Sequence, residues 1–442
     1  VPRVARHGAP VRVRRPEAAA FLPIEGYSMS PHVANLLPEG VTRTPYPVYT
    51  DMDLYRRELE RFFYKKHWCY VGLEAEIPNP GDYRLSNVGE RQVIMVRAED
   101  DTVQVVENVC AHKGMRFCRK NAGNATEFRC PYHQWSYSLK GDLEGVPFRR
   151  GVKQDGRVNG GMPPDFRVED HGLVKLKVAT RGGVIFASFD HDVESLEDFL
   201  GPEILKYFDR LFHGPKLTLL GYTRQRIPGN WKLMQENIKD PYHGGLLHTW
   251  FVNFGLWRVD NKGEMVMDAQ HRHAAMVSKR SRGGQGEATS GITSFKTTME
   301  LNDRRLLDVQ DEPWWGDPTV VMLTLMPSVI IQQNVNTLAT RRILPAGPGM
   351  FDYVWTHFGF ETDDEEMTQR RLRQANLVGP AGYVSADDGE VVECLQQTFD
   401  ANPYGSAVNE LGGRGLDERT DHMVTETLVR GMYDYWRRVM EG

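Results

Sequence analysis

The sequence predicts an α+β protein: a small antiparallel β domain, then a larger domain of helices on an antiparallel sheet. Two observations predict it. Between residues 68 and 189 the apolar residues fall in short β-type runs broken by Pro, Gly and Asn. From residue 196 onward, stretches with helical spacing are interleaved with longer strand-like runs, and such a mixture after an all-β segment is the α+β pattern. The length of 442 residues accommodates two domains.

Residues 1–42 read as an irregular N-terminal arm, locally basic and with no function assigned. Arg14-Arg15 is a twin-arginine pair, but no apolar h-region or cleavage site follows it, so export is not expected. The first domain is expected over 43–190. Thr50-Asp51 caps a helix running to about residue 66, with Leu54, Leu59, Phe62 and Phe63 on its apolar stripe. Strands are expected at 68–73, 92–97, 103–107, 173–178 and 183–189. The second domain, 191–442, begins with a helix at 196–212. Strands at 274–278, 319–326, 329–338 and 351–360 follow, with helices at 363–377, 385–398 and 418–440. The Gly-, Ser- and charge-rich segment 279–292 reads as a lid over a site or as a solvated surface loop.

Composition narrows the function. A formal charge of −5 gives no reason to expect a nucleic-acid partner. No apolar run approaches the roughly 18 residues that cross a bilayer. Five cysteines, an odd number in a long chain, do not suggest a disulfide framework. They fit a reducing cytoplasm, where thiols are free to bind metal.

Two clusters carry metal chemistry. Cys110-Ala-His112 is followed, after 17 residues, by Cys130-Pro-Tyr-His133. Two thiolates and two imidazoles suit a tetrahedral zinc or a Rieske [2Fe–2S] centre, with two Cys on one iron and two His on the other. One residue between Cys110 and His112 is tight for a single ion and natural for two, which favours the Rieske reading. Trp135 is expected to shield the cluster. The second cluster lies in 230–248, where His243 and His248 are preceded by Glu236, Asn237 and Asp240. Two His and one carboxylate make the facial triad of non-haem Fe(II), with positions left open for oxygen. Asn237 and Asp240 are the further residues expected to serve catalysis.

C-x-H…C-x-x-H followed by N-W-K…E-N-x-x-D-x-Y-H-x-x-x-x-H resembles the large (α) subunit of Rieske non-haem iron aromatic-ring-hydroxylating oxygenases, from about Arg43 onward. The stretches at 146–155, 160–163 and 379–390 are most similar to the branch acting on benzoate-type acids such as salicylate, anthranilate and terephthalate. The resemblance implies that the third iron ligand is Asp388, in Gly379-Pro-Ala-Gly…Asp387-Asp388-Gly-Glu390. Spacing alone leaves Asp387 and Asp388 open, since neighbours on a helix point about 100° apart. It also implies that Asp240 is no ligand but a bridge, joining His133 of one subunit to His243 of another. One departure stands out: the residue after the second cluster histidine is often Gly in the family and is Gln134 here.

The resemblance further implies an oxygenase using O2 and NAD(P)H-derived electrons. These arrive through a ferredoxin and a ferredoxin reductase, since no G-x-G-x-x-G fingerprint follows a strand in this chain. A small (β) subunit and an α3 or α3β3 assembly are expected. The expected substrate is an ortho-substituted benzoate. Salicylate to gentisate is preferred, and the alternatives are anthranilate to catechol or a non-catalytic Rieske electron carrier. For the pocket, alternation over 327–337 puts Ile330, Gln332 and Asn334 on one face and Ile331, Gln333 and Val335 on the other. Buried amides need partners, so Gln332 and Asn334 are expected to meet a polar group of the substrate. Ser385 lies one helical turn before Asp388, and Met276 and Val378 are apolar candidates.

Overall fold

The computed structural model describes residues 36–254, 262–279, 300 and 302–442. Apart from Lys279, the lid segment 279–292 lies outside them, as do residues 1–35 of the arm.

The chain is pinned early. Arg43–Pro45 pairs antiparallel with Ser406–Val408. Asp51 caps the helix Met52–Glu58, its Oδ1 accepting the Leu54 N–H at 2.7 Å, and the helix continues as a wider turn over Leu59–Phe63. Its apolar stripe packs against Trp231 and Tyr435 of the larger domain. Glu58 anchors it there. This fully buried carboxylate pairs with Lys232 at 2.8 Å and accepts the indole N–H groups of Trp231 and Trp436. Those extra bonds offset the cost of burying the ion pair.

The small domain is built from short antiparallel strands. Val103–Glu107, Arg91–Arg97, Asp82–Val88 and Ala122–Asn124 form one sheet; Lys177–Arg181, Val184–Ser188 and Cys69–Leu73 form another. The three two- and three-residue strands Phe128–Arg129, Ser136–Tyr137 and Leu143–Gly145 carry the second Cys-His loop.

The larger domain is organised on an eight-stranded antiparallel sheet. Its strands are β1 (Leu217–Ile227), β2 (Gly263–Met267), β3 (Ala274–Ser278), β4 (Val320–Leu325), β5 (Val329–Asn334), β6 (Thr337–Pro345), β7 (Phe351–Phe360) and β8 (Arg419–Thr420), in the order β1-β7-β6-β5-β4-β3-β2-β8. Helices are α1 (Leu196–Leu211), α2 (Trp231–Lys239), α3 (Glu365–Val378), α4 (Ser385–Ala401) and α5 (Thr427–Glu441). Period-two alternation splits the sheet into two apolar faces. Leu323, Ile331, Leu338 and Phe358 pack with α1. Met322, Ile330, Ala339 and Trp355 belong to the core that includes Trp231 and Met234 of α2 and Met432 and Trp436 of α5.

Two expectations are corrected, and two strands were not foreseen. The run 329–338 is not one strand: it breaks at Val335-Asn336, and β5 and β6 form a hairpin with Asn334 paired to Thr337. Val335 therefore leaves the face shared by Ile331 and Gln333. The helix expected from 418 starts at Thr427, after β8. The strands β1 and β2 carried no expectation. β1 is an edge strand whose exposure alternates, and its polar outer residues (Thr218, Tyr222, Arg224, Arg226) hide its apolar pattern.

Candidate metal centres and the cavity beside them

The two Cys-His loops share one backbone design. Cys110 N–H donates to the Met115 carbonyl and Gly114 N–H to the Cys110 carbonyl, both at 2.9 Å; Cys130 to Trp135 and Gln134 to Cys130 repeat this at the same distances. Each loop needs a left-handed residue four after its cysteine: Gly114 at φ +71° and Gln134 at φ +58°. The sulfurs are buried, and the rings of His112 and His133 lie 4.6 Å apart. Trp135 stacks on His112 at 4.7 Å and 6°, giving the expected shield. The four donors do not meet at a point. Among the described residues, the only three metal-type donors within 4.8 Å of one another belong to the other site. Spread ligands suit two irons rather than one tetrahedral ion.

Two further observations fit a Rieske cluster. His112 Nδ1 is buried with no hydrogen-bond partner among the described residues, a costly arrangement unless the atom ligates. Tyr137 accepts the Ala111 N–H at 3.1 Å, which leaves its own O–H for Cys110 Sγ at 3.2 Å. Burial and the neighbouring thiol push the Tyr137 pKa well up, so it stays a donor. Hydrogen bonds to cluster sulfur tune the potential.

Gln134 holds a conformation that glycine adopts without strain, and non-Gly residues there lose of order 1–2 kcal/mol. Gln134→Gly is expected to raise the domain's stability by about 1 kcal/mol, read by urea or thermal unfolding of the cluster-loaded protein. No gain would show that the Gln134 side chain, which donates to the Pro131 carbonyl at 3.3 Å, offsets the strain.

The second centre is assembled by the end of α2 and the start of α4. Asn230 caps α2 through Lys232 N–H at 3.1 Å, and Trp231, Met234 and Ile238 supply the buried stripe. Pro241 forces the preceding Asp240 out of the helix, to φ −97° and ψ 99°. Asp240 Oδ1 then accepts the Tyr242 N–H at 2.8 Å and starts the turn that presents His243. His243 Nε2 and His248 Nε2 lie 3.6 and 3.1 Å from Asp388 Oδ1. The Nδ1 atoms face outer carboxylates: His243 to Asp240 at 3.3 Å and His248 to Asp387 at 3.2 Å. Asn237 Nδ2 donates to Asp388 Oδ1 at 3.2 Å. Burial and geometry set Asp388 on the inner side of the two histidines and Asp387 on the outer: Asp388 is 2% exposed and Asp387 39%.

The electrostatics favour a cation. Burial alone would raise the Asp388 pKa, but its bonds to His243 and His248 hold it well below the carboxylate range. Burial likewise lowers His243, yet Asp240 and Asp388 hold it up at about 10. A buried carboxylate facing two Nε2 atoms, with both Nδ1 atoms held by carboxylates, fits the facial triad of a mononuclear iron and its outer shell.

A cavity opens beside the triad. His243, His248 and Asp388 line it with Asn237 and Asp240. Of the residues expected from sequence, Met276, Asn334 and Val378 also line it. Gln332 and Ser385 are not among the lining residues. Gln332 is fully buried on the same sheet face, and Ser385 Oγ donates to Gln225 at 3.0 Å. Sequence reasoning missed Arg341. It sits on β6, 2% exposed, and lines the cavity. Its guanidinium lies 4.0 Å over the Trp355 ring; its Nε has no hydrogen-bond partner, and no described carboxylate pairs with it. A signal was present: Arg341-Arg342 interrupts an apolar strand. Alternation sends the two apart, Arg342 to the Val71 carbonyl at 3.2 Å and Arg341 into the cavity.

These two sites on an α+β scaffold define a Rieske oxygenase large subunit. The family model for the Rieske [2Fe-2S] domain matches residues 67–155, and that for the ring hydroxylating alpha subunit (catalytic domain) matches 212–442. The chain is 69% identical over 403 residues to the salicylate 5-hydroxylase large oxygenase component of Ralstonia sp, covering 91% of this chain and 95% of that one. It is 40% identical to the anthranilate 1,2-dioxygenase large subunit of Burkholderia cepacia, covering 90% and 93%. The fold is that of naphthalene 1,2-dioxygenase from Rhodococcus sp. bound to indole, with a TM-score of 0.75 at 23% identity over 93% of this chain and 96% of that one. The chain belongs to the ring-hydroxylating oxygenase α subunits, enzymes that carry a Rieske [2Fe–2S] cluster and a mononuclear iron. No helix of the described residues is long and apolar enough to cross a membrane.

Proposed function

We propose that this chain is the large subunit of a terminal oxygenase that hydroxylates salicylate to gentisate. The observation that carries the reading is Arg341, a buried guanidinium without a carboxylate partner in the cavity that contains His243, His248 and Asp388. Arg341 meets the Trp355 ring and, at 4.0 Å, Met322 Sδ, but no described carboxylate; a buried cation so placed favours an anion, and guanidinium matches carboxylate in a two-pronged hydrogen bond. The remaining wall suits an aromatic ring: Ile238, Phe251, Met276, Met322, Leu377 and Val378 surround a few polar groups. The 69% identity to a salicylate 5-hydroxylase component points the same way.

The residues divide the work. Cys110, His112, Cys130 and His133 would hold the cluster, and His243, His248 and Asp388 would hold the iron. A cluster held there would supply electrons one at a time, and an iron held by the triad would supply the reductive activation of O2. Arg341 binds the carboxylate and thereby fixes the ring against the triad, which is the protein's contribution to orientation. Asp240 and Asp387 keep both imidazoles in one tautomer, and Asn237 holds Asp388. Electrons come from NAD(P)H through a separate reductase and ferredoxin. A small subunit and a trimeric core complete the assembly.

The exposure of the two ends of the electron path supports transfer between subunits. His133 is exposed on the small domain, and Asp240, 26% exposed, bonds His243 from the outside. Around Asp240 the surface presents Tyr242, Leu246 and Leu395, all exposed. This exposure supports a path in which His133 of a second copy meets Asp240 and, through it, His243. Asp240→Ala is expected to keep both metals while blocking cluster-to-iron electron transfer, seen as loss of the fast oxidation phase in stopped-flow spectra of the reduced cluster. Normal turnover in that variant would refute the bridge.

Reconstitution with a ferredoxin and its reductase tests the substrate. Gentisate from salicylate is the expected product. Catechol from anthranilate, with salicylate untouched, would move the chain to the anthranilate reading, and no product from either would overturn both.

A further inference from the structure

We propose that Val335 is a specificity-determining residue of the iron cavity, placed there by a strained turn; the proposal rests on the reading of that cavity as the aromatic-acid site. The hairpin β5–β6 closes through the two-residue turn Val335-Asn336, and Val335 has φ +47°. Turns of this length take Gly, Asn or Asp where φ is positive. A β-branched residue there is a steric outlier. Such strain persists only where the surroundings over-determine the backbone.

Here they do. Val335 N–H donates to the Thr319 carbonyl at 2.9 Å. Asn336 N–H donates to Gln374 Oε1 at 2.9 Å, and its carbonyl accepts from Arg371 at 2.6 Å. The Asn336 amide bonds both the N–H and the carbonyl of Gln310, at 3.0 and 2.7 Å, and donates to Glu312 at 2.9 Å. Arg371 in turn is fixed by Glu312 and Asp363, each at 2.7 Å.

The consequence is positional. Continued alternation would carry side chain 335 to the far face of the sheet, where Gln333 accepts a hydrogen bond from Arg210 at 2.6 Å. The turn instead sets the isopropyl group on the cavity wall beside Asn334, in the same space as Arg341 and the triad. Glycine would suit the backbone and leave that wall open. With the carboxylate on Arg341, the branched side chain limits the bulk that the ring can carry.

Val335→Gly and Val335→Ala separate the two parts of the proposal. Both remove the wall, and only glycine also relaxes the backbone. Each variant is expected to raise kcat/KM for at least one ring-methylated salicylate, relative to salicylate, by about 10-fold or more, since a methylene in a pocket is worth roughly 10–200-fold. Calorimetry should show that methylsalicylate binding tightens in parallel. Val335→Gly should melt about 2–4 °C above Val335→Ala. Wild-type selectivity in both variants, or Val335→Gly melting at or below Val335→Ala, overturns the proposal. A wild-type protein that binds no salicylate fails earlier, at the substrate reading, and takes this proposal with it.

Discussion

Asp388→Ala removes the mononuclear iron, leaves the Rieske cluster in place and abolishes turnover. Iron should fall from about three to about two atoms per chain, two being the cluster's, with the reduced-cluster EPR signal unchanged. Among the described residues, Asp388 Oδ1 is the one carboxylate oxygen that faces both Nε2 atoms, and two imidazoles alone do not make a facial triad. Its neighbour is the control. Among the described residues Asp387 meets His248 Nδ1 alone of the two imidazoles, so Asp387→Ala should keep the iron with affinity reduced about 10–100-fold, the usual effect of losing an outer-shell partner. Equal effects of the two substitutions would contradict the assignment.

Arg341→Gln lowers kcat/KM for salicylate by roughly 10²–10³-fold. Truncating one partner of a buried, hydrogen-bonded charge pair costs about 2–5 kcal/mol, much of it the desolvation of the ion left behind. The loss should fall mainly on KM if the carboxylate contact is the same in ground and transition states, and on kcat as well if the contact aligns the ring. Iron content and the EPR signal should not change. A variant with wild-type kinetics on salicylate would remove the basis for an aromatic acid as substrate. Steady-state kinetics in the reconstituted system, with iron analysis alongside, checks both halves.

How much of this was readable in the sequence depends on whether each feature is local. The first cap was: Asp51 lies before an apolar-periodic run, and the helix begins there. The candidate metal-binding cysteines and histidines were legible as motifs, because cysteine and histidine at short spacing have few other uses. Asp388 was reached only through family resemblance, since it lies 140 residues after His248 and is joined to it by folding alone. The pocket was half legible. Alternation put Asn334 on the correct face, but it also predicted that Gln332 reaches the cavity, and Gln332 stays behind the wall. Arg341 was overlooked because a buried cation in a central strand contradicts ordinary core composition. The β5–β6 turn was invisible for a related reason: Val335 is among the residues least expected at positive φ. Local preference was overridden there by Gln310, Glu312, Arg371 and Gln374, all distant in sequence or on other elements.

The central claim is that one cavity holds both the iron triad and a carboxylate anchor. A crystal structure of the iron-loaded protein with salicylate, prepared without oxygen, tests it most directly. The account predicts one metal ion on His243, His248 and Asp388, and the salicylate carboxylate hydrogen-bonded to the Arg341 guanidinium with the ring toward the metal. Metal elsewhere, or a carboxylate out of hydrogen-bond reach of Arg341, would contradict it.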